Sequence, residues 1–190
     1  MGEISLQLMG DRPRAKLYFS TALENDPQHT QAKASLQSLE EPPMEKLQYW
    51  LDDRLWTRVP KASESVESQR FLLKGDDLDH FKEMVSVEFF KGDCDRKTLE
   101  VMVEATKKNL RDWAGSSLTW KILSISEFDV VYEWTIQGHH NIPAQFELSR
   151  MMLGRRGIHG IRYITKTIPV EEAIYKRWLG IIKAAKVVNQ

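Results

Sequence analysis

In the second half of the chain, apolar residues alternate with polar ones. This period of two predicts four strands, over about 118–125, 129–137, 144–153 and 158–167. The connections are short, and Gly154-Arg155-Arg156-Gly157 is typical of a hairpin turn. An antiparallel meander is therefore the simplest topology.

Stretches with a helical period lie on both sides of the predicted strands. Apolar residues recur every three or four positions in 44–57, 76–89 and 96–113, and a last helix opens at Pro169. We expect that last helix to cover the sheet. The predicted fold class is α+β: an N-terminal helical hairpin, then helices packed on a four-stranded antiparallel sheet that is closed by a C-terminal helix.

Residues 11–39 predict the helical hairpin. Ala15, Phe19 and Ala22 share one face of its first helix, which ends before Pro27. This spacing resembles the second helix of a tetratricopeptide (TPR) repeat, in which small residues let helices approach and an aromatic ring fills the gap. The resemblance implies a partial repeat that docks a protein or peptide partner. An ordinary helical hairpin is the alternative.

A domain boundary is predicted at Glu40-Glu41-Pro42-Pro43, because paired prolines stop a helix and stiffen a link. We expect the TPR-like hairpin over 1–41 and an α+β domain over 44–190. The sequence leaves open whether the hairpin belongs to a longer repeat array.

Strand alternation assigns side chains to the two faces of the predicted sheet. The expected apolar face holds Leu118, Trp120, Ile122, Val130, Tyr132, Trp134, Ile136, Phe146, Leu148 and Met152. A turn that pairs Leu153 with Ile158 brings Arg150, His159 and Tyr163 onto the same face.

Arg150 is the anomaly of that face, because a guanidinium in an apolar layer is costly unless it is paired or reaches a water-filled cavity. We therefore expect Arg150, His159, Tyr163 and Trp134 to line a pocket for an anionic ligand, between the sheet and the C-terminal helix. The alternative is that Arg150 lies at the sheet edge or pairs with a helix carboxylate, and that His159 is a core histidine.

The opposite face is expected to be polar and solvated, with Lys121, Glu133, Thr135, Glu147, Ser149, Arg162 and Lys166. Glu147 lies diagonal to both Arg162 and Lys166, so cross-strand ion pairs are predicted there. A docking surface is the alternative.

No motif predicts a metal site or a catalytic group. His139 and His140 are adjacent, so an extended chain points them in opposite directions, and no ligand cluster accompanies them. Cys94 lies between aspartates, which raise the pKa of a thiol. We predict no cofactor, no metal and no catalytic residue.

Charge and composition narrow the function classes. The 27 basic residues match the 27 acidic ones, which argues against a nucleic-acid partner. The chain has one cysteine and no apolar run of membrane-spanning length, so a cytoplasmic protein is expected. The leading hypothesis is a protein-interaction adaptor. The alternative is a small-molecule-binding domain or enzyme with the anion pocket described above.

Overall fold

The computed structural model describes residues 12–40, 45–59, 67–138 and 143–189. The chain forms two compact units, Met1–Pro43 and Met44–Gln190. Among the helices of the described ranges, none is long and apolar enough to cross a membrane.

The described part of the first unit is a pair of helices, α1 (Arg12–Asn25) and α2 (Thr30–Glu40), which pack against each other. Ala15 on α1 and Ala32 on α2 are each only 1% exposed. The backbone N–H of Ala32 donates to Nδ1 of His29 at 3.2 Å, which satisfies one of the free donors at the start of α2.

The tetratricopeptide resemblance is wrong. Such repeats are stacked helical pairs, each of which buries its face against the next pair. In the described ranges a helical pair occurs once, and segment 44–57, where a further unit would begin, contains strand β1 (Glu45–Gln48) and the start of strand β2 (Trp56–Val59). Two alanines, one aromatic residue and a proline at this spacing also suit an isolated helical hairpin, so the spacing is not specific to tetratricopeptide repeats.

The second unit is built on a seven-stranded antiparallel sheet, in the order β2-β3-β4-β8-β7-β6-β5, and a two-stranded sheet, β1-β9. The remaining strands are β3 (Glu67–Leu73), β4 (Glu83–Lys91), β5 (Leu118–Ile125), β6 (Asp129–Ile136), β7 (Gln145–Leu153), β8 (Gly157–Thr165) and β9 (Lys186–Asn189). Two helices accompany them, α3 (Arg96–Ala114) and α4 (Glu172–Ala184).

The α+β class is confirmed, but the predicted four-stranded sheet is wrong, and a strand, β9, follows the helix that was expected to close the fold. Segments 44–57 and 76–89 were predicted as helices and contain β1, the start of β2 and most of β4. β4 lies inside the sheet, and its consecutive residues Val85, Ser86 and Val87 are all buried. The sequence does alternate over Val85-Ser86-Val87-Glu88-Phe89, but Leu78, Phe81, Met84 and Val85 also recur at helical spacing, and this ambiguity produced the helix prediction.

Helix α3 begins where its sequence provides a cap. The Asp95 carboxylate accepts a hydrogen bond from the backbone N–H of Thr98 at 2.7 Å, and the Thr98 hydroxyl accepts one from the backbone N–H of Asp95. This reciprocal pair is a capping box. The inner side of the helix buries Leu99 and Val103 against the sheet.

Both faces of the large sheet are covered, and we name them by the helix that packs on them. On the α3 face, Leu99 and Val103 meet Val130, Tyr132, Trp134, Ile136, Met151 and Ile158. On the α4 face, Trp178 and Ile182 meet Val85, Val87, Val131, Phe146, Leu148, Met152, Ile161 and Tyr163.

The predicted pairing of Leu153 with Ile158 is confirmed. The single apolar face is wrong, because β6 and β7 pair Thr135 with Phe146 and thereby place Trp134 beside Glu147. The connection between β6 and β7 is eight residues long, 137–144, and a loop of this length does not fix the register that the sequence would need to show.

Candidate functional site

Arg150 lies on the α4 face, where its donors are occupied by protein atoms. Nε donates to Oδ2 of Asp129 at 2.8 Å, and Nη2 donates to the same oxygen. Nη1 lies 3.2, 2.8 and 2.9 Å from the carbonyl oxygens of Ile182, Lys183 and Ala185. These carbonyls end α4, so the guanidinium caps the negative end of the helix. Arg150 therefore has two kinds of partner, the Asp129 carboxylate on β6 and the end of α4. The alternative prediction had expected a carboxylate on a helix.

Tyr163 also lies on the α4 face and is held by a hydrogen-bond chain. Its hydroxyl donates to Glu83 at 2.6 Å, and its ring stacks on Trp178 at 4.5 Å. Glu83 in turn accepts two bonds from Arg54, at 2.7 and 2.8 Å. Burial and the neighbouring Glu83 carboxylate raise the pKa of Tyr163. The phenol is therefore fixed and protonated at neutral pH.

Trp134 does not join these residues, because it lies on the α3 face, where it is 4% exposed. The structure thus places Arg150, His159 and Tyr163 on one face and Trp134 on the other. Within the α4 face, Arg150 and Tyr163 each have a separate set of partners.

His159 is 3% exposed and belongs to a different cluster. Its ring lies on Phe89, with centroids 4.6 Å apart, and its Nε2 is 4.0 Å from Oε2 of Glu45. Burial lowers the pKa of His159, and the Glu45 carboxylate partly opposes that shift. A neutral imidazole is therefore expected at pH 7.

Glu45 ties β1 to the turn between β7 and β8. Its Oε2 accepts the backbone N–H groups of Arg155 and Arg156, at 2.8 and 3.1 Å. Gly154 makes room for this contact, since a Cβ there would lie 2.6 Å from Glu45 Oε2 and 3.1 Å from the His159 ring. Successive N–H groups that converge on one oxygen form an anion-binding nest, and here the nest holds an internal carboxylate.

Beside this cluster, β1 and strands β2 to β4 enclose a groove of about 370 Å³. We call it the β1 groove. Its lining includes Leu47, Tyr49, Arg58, Gln69, Val87 and Phe89, with Lys46 at one side and His159 behind Phe89. Three acidic residues, Glu45, Glu67 and Glu88, also belong to the lining. This volume lies in the range of small-ligand sites.

Polar groups at the β1 groove are arranged around Tyr49. Its hydroxyl donates to Oε1 of Gln69 at 3.2 Å. Burial raises the pKa of Tyr49, and the positive charge of Arg58 opposes this, so Arg58 lies near the phenol. In the described ranges, no carboxylate lies within ion-pair distance of Arg58 or Lys46, and both side chains are exposed.

The sequence interpretation missed a buried polar cluster on the α3 face. Glu147, Ser149 and Arg162 were expected on a solvated face, yet Glu147 and Ser149 are buried and the Arg162 side chain is only 22% exposed. The predicted diagonal pair forms, with Arg162 Nη1 3.9 Å from Glu147 Oε1. Lys166 does not join it, since its Nζ lies over the Phe81 ring at 4.0 Å.

Other candidate groups provide no site. Burial, together with two neighbouring aspartates, raises the pKa of Cys94, as predicted. No group of three metal-ligating side chains occurs in the part of the chain that the structure describes. His139 and His140 lie outside that part.

No protein family and no curated protein matches the chain. A solved structure, described as "Crystal structure of LpqN involved in cell envelope biogenesis of Mycobacterium tuberculosis", aligns with a TM-score of 0.46 and 12% identity. The alignment covers 78% of this chain and 87% of that one.

Proposed function

We propose that this protein binds a small organic anion, an aromatic or aliphatic carboxylate or sulfonate, in the β1 groove. The observation that carries the proposal is an apolar floor beside the exposed guanidinium of Arg58, for which the described ranges provide no carboxylate within ion-pair distance. Pockets that bind small molecules combine apolar walls with a few well-placed polar groups.

The apolar part of the ligand is expected to lie on Leu47, Val87 and Phe89. Leu47 and Val87 belong to the α4-face core and are 9% and 8% exposed, so they offer a fixed surface. The Phe89 ring is held from behind by His159. Apolar contact of this kind stabilises a complex by about 25 cal/mol for each Å² removed from water.

The acidic part of the ligand is expected to face Arg58, whose planar guanidinium can donate two parallel bonds to a carboxylate. Tyr49 and Gln69 are near enough to orient it. Two carboxylates of the lining, Glu45 and Glu67, oppose the binding of an anion. Glu45 is bonded to two backbone N–H groups of the β7–β8 turn, so Arg58 is the group expected to meet the acid.

We propose binding and not catalysis because the groove provides no arranged nucleophile and base in its described lining. The imidazole of His159 is packed between Phe89 and Glu45, and its pKa is lowered by burial. Ser68 belongs to the lining, but strand alternation directs its side chain to the α3 face together with Glu88.

The test uses 8-anilinonaphthalene-1-sulfonate, which joins an aromatic body to an anionic group and fluoresces when it leaves water. We expect saturable binding to the native protein, and a loss of affinity of about tenfold or more in Arg58→Ala, since hydrogen bonds to charged groups contribute roughly 1.5–3 kcal/mol. Arg58→Lys should retain part of the affinity.

Arg111→Ala is the matched control, because Arg111 is exposed on α3, on the other side of the sheet. Equal affinities for the Arg58→Ala and Arg111→Ala proteins would rule out the β1 groove as the binding site. The adaptor role stays a prediction, and its tetratricopeptide basis is removed.

A further inference from the structure

The wall that β1 contributes to the β1 groove is the free edge of a strand. In the described ranges β1 pairs with one strand, β9, and no residue of β9 lines the groove, so the groove lies along the opposite edge of β1. Three consecutive residues, Glu45, Lys46 and Leu47, belong to the lining. Since successive side chains of a strand point to opposite faces, this continuous run means that the backbone itself borders the groove. A free strand edge offers N–H and C=O groups to a further strand.

The floor of the groove is the α4 face of the large sheet. Register places Gln69 beside Val87 and Glu67 beside Phe89, and all four residues belong to the lining. Facing sheets lie about 10 Å apart, and neighbouring strands of one sheet lie about 4.8 Å apart. A chain that lies beside β1 therefore meets the floor with every second side chain, while its backbone stays at the level of β1.

Acidic side chains mark one end of the groove. Oε2 of Glu45 lies 4.0 Å from Nε2 of His159, and register continues from His159 across the sheet to Phe89 and then to Glu67. Glu67 is exposed, and in the described ranges no cation lies within ion-pair distance of its carboxylate. This end of the groove therefore favours a positively charged group.

A basic side chain marks the other end. The Tyr49 hydroxyl bonds to Gln69 at 3.2 Å, and the Tyr49 phenol is close enough to Arg58 for that charge to affect its pKa. Arg58 pairs with Phe71. Four strand positions separate Phe71 from Glu67, which is about 13 Å. The acidic end and the basic end are thus separated by about the length of three or four extended residues.

We infer that the ligand of the β1 groove is a short peptide in extended conformation, which adds a strand to the free edge of β1. The inference rests on the proposed anion site and specifies its ligand, because the anion is then the C-terminal carboxylate of the peptide, bound by Arg58. The α-ammonium group, or a basic side chain about three residues before the carboxylate, faces Glu67. The carboxylate of Glu67, which opposes a simple anion, stabilises a peptide of this kind.

The direction of the bound peptide follows from the two charged ends. β1 begins at Glu45, at the acidic end, and runs towards Tyr49, near Arg58. A peptide with its carboxylate at Arg58 therefore runs parallel to β1. Main-chain bonds to a strand edge provide affinity, and the floor selects every second side chain. Val87 and Phe89 favour apolar side chains at those positions.

The first experiment measures the displacement of 8-anilinonaphthalene-1-sulfonate from the full chain by trivaline with free ends, whose β-branched residues favour the extended conformation. Trivaline amide lacks the carboxylate, and N-acetyl trivaline lacks the ammonium group. We expect each modification to weaken displacement by about tenfold. If the dye binds in an Arg58-dependent manner and free trivaline does not displace it, the inference fails and the proposed anion site stands.

Two variants assign the charges of the peptide to the ends of the groove. In Arg58→Ala, trivaline and its amide should bind within about twofold of each other, and in Glu67→Gln, trivaline and its N-acetyl form should do so, because the partner of the altered group is absent. Arg111→Ala and Glu104→Gln are the matched controls, since both residues are exposed on α3, on the other side of the sheet. They should retain both tenfold differences. Tenfold differences that persist in Arg58→Ala or in Glu67→Gln would overturn the inference.

Strand addition is tested by N-methylation of the peptide and by hydrogen exchange of the protein. Successive N–H groups of an extended chain point to opposite edges, so methylation of one of the two amides of trivaline should weaken binding about fivefold or more, and methylation of the other should have little effect. Saturating trivaline should also slow amide exchange in β1. Equal effects of the two methylations, or unchanged exchange in β1, would overturn the inference. A dimer of the free protein in which the β1 amides are already protected would also overturn it, since a second copy would then occupy the edge.

Discussion

At the scale of single residues, Arg150 shows how an arginine is accommodated on a covered sheet face. Its side chain is 17% exposed and that of Asp129 is 15% exposed, so the pair is largely shielded from water. The same guanidinium caps the carbonyls at the end of α4. It therefore fastens the helix to the sheet through two kinds of bond.

We expect Arg150→Ala to lower the free energy of unfolding by about 2–3 kcal/mol at pH 7, because it leaves a shielded carboxylate and three carbonyls without their donor. Urea unfolding measures this change. Lys108→Ala is the control: Lys108 forms an exposed ion pair with Asp112, and its loss should have no measurable effect.

The loss of stability caused by Arg150→Ala should become smaller as the pH falls. Burial alone would raise the pKa of Asp129, but hydrogen bonds from Ser126 and Arg150 outweigh it and lower the pKa below its ordinary 3.8. A lowered pKa in the folded state gives stability that is complete above pH 3.8 and is lost as the pH falls through the folded-state value. The difference between the wild type and Arg150→Ala should therefore shrink below pH 3.8, and a constant difference would contradict the ion pair.

The sequence could identify Arg150 but not its partners. Its position on an apolar face follows from alternation, and the pairing of β7 with β8 follows from the Gly154–Gly157 turn. Asp129 and the end of α4 are 21 and 32–35 positions away along the chain, and only the folded arrangement brings them together.

At the scale of elements, the strands with one clear period and the capped helices were predictable. β5 to β8 follow their alternation and short turns, α3 follows its cap at Asp95, and α4 follows Pro169 and its apolar stripe. β1 and β9 have only four residues each, which is too short for a period, and β4 is preceded by apolar residues at helical spacing that compete with its own alternation. The β1 groove is built from β1 to β4, so it could not be predicted from the sequence without those strands.

The contact between Glu45 and the β7–β8 turn should hold β1 in place. In Gly154→Ala the new Cβ would displace the Glu45 carboxylate, which then loses two backbone hydrogen bonds. We expect a cost of about 1–3 kcal/mol and faster amide hydrogen exchange in β1 and β9. Urea unfolding and hydrogen-exchange mass spectrometry measure the two effects.

A double-mutant cycle with Glu45→Ala gives the control for this prediction. Once the carboxylate is absent, Gly154→Ala has less to displace, so the two costs should be clearly less than additive. Additive costs would mean that Gly154 does not act through Glu45.

At the scale of the whole molecule, the proposed β1 groove lies in the second unit. It is lined by residues of β1 to β4 and β8, and the core cluster that supports it also lies within 44–190. A unit with its own core can fold by itself. We therefore expect a fragment of residues 44–190 to unfold cooperatively and to bind the anilinonaphthalene sulfonate probe within about twofold of the full chain, a difference under roughly 0.5 kcal/mol.

A shorter fragment, residues 44–185, tests whether the strand after α4 is part of this fold. Loss of β9 removes the partner of β1 and the contact of Val187 with the α4-face core. Since β1 forms one wall of the groove, the shorter fragment should bind the probe at least tenfold more weakly and should unfold at a lower urea concentration. Equal binding by both fragments would show that β1 does not need β9 to form the groove, and a disordered 44–190 fragment would show that the second unit requires the helical pair.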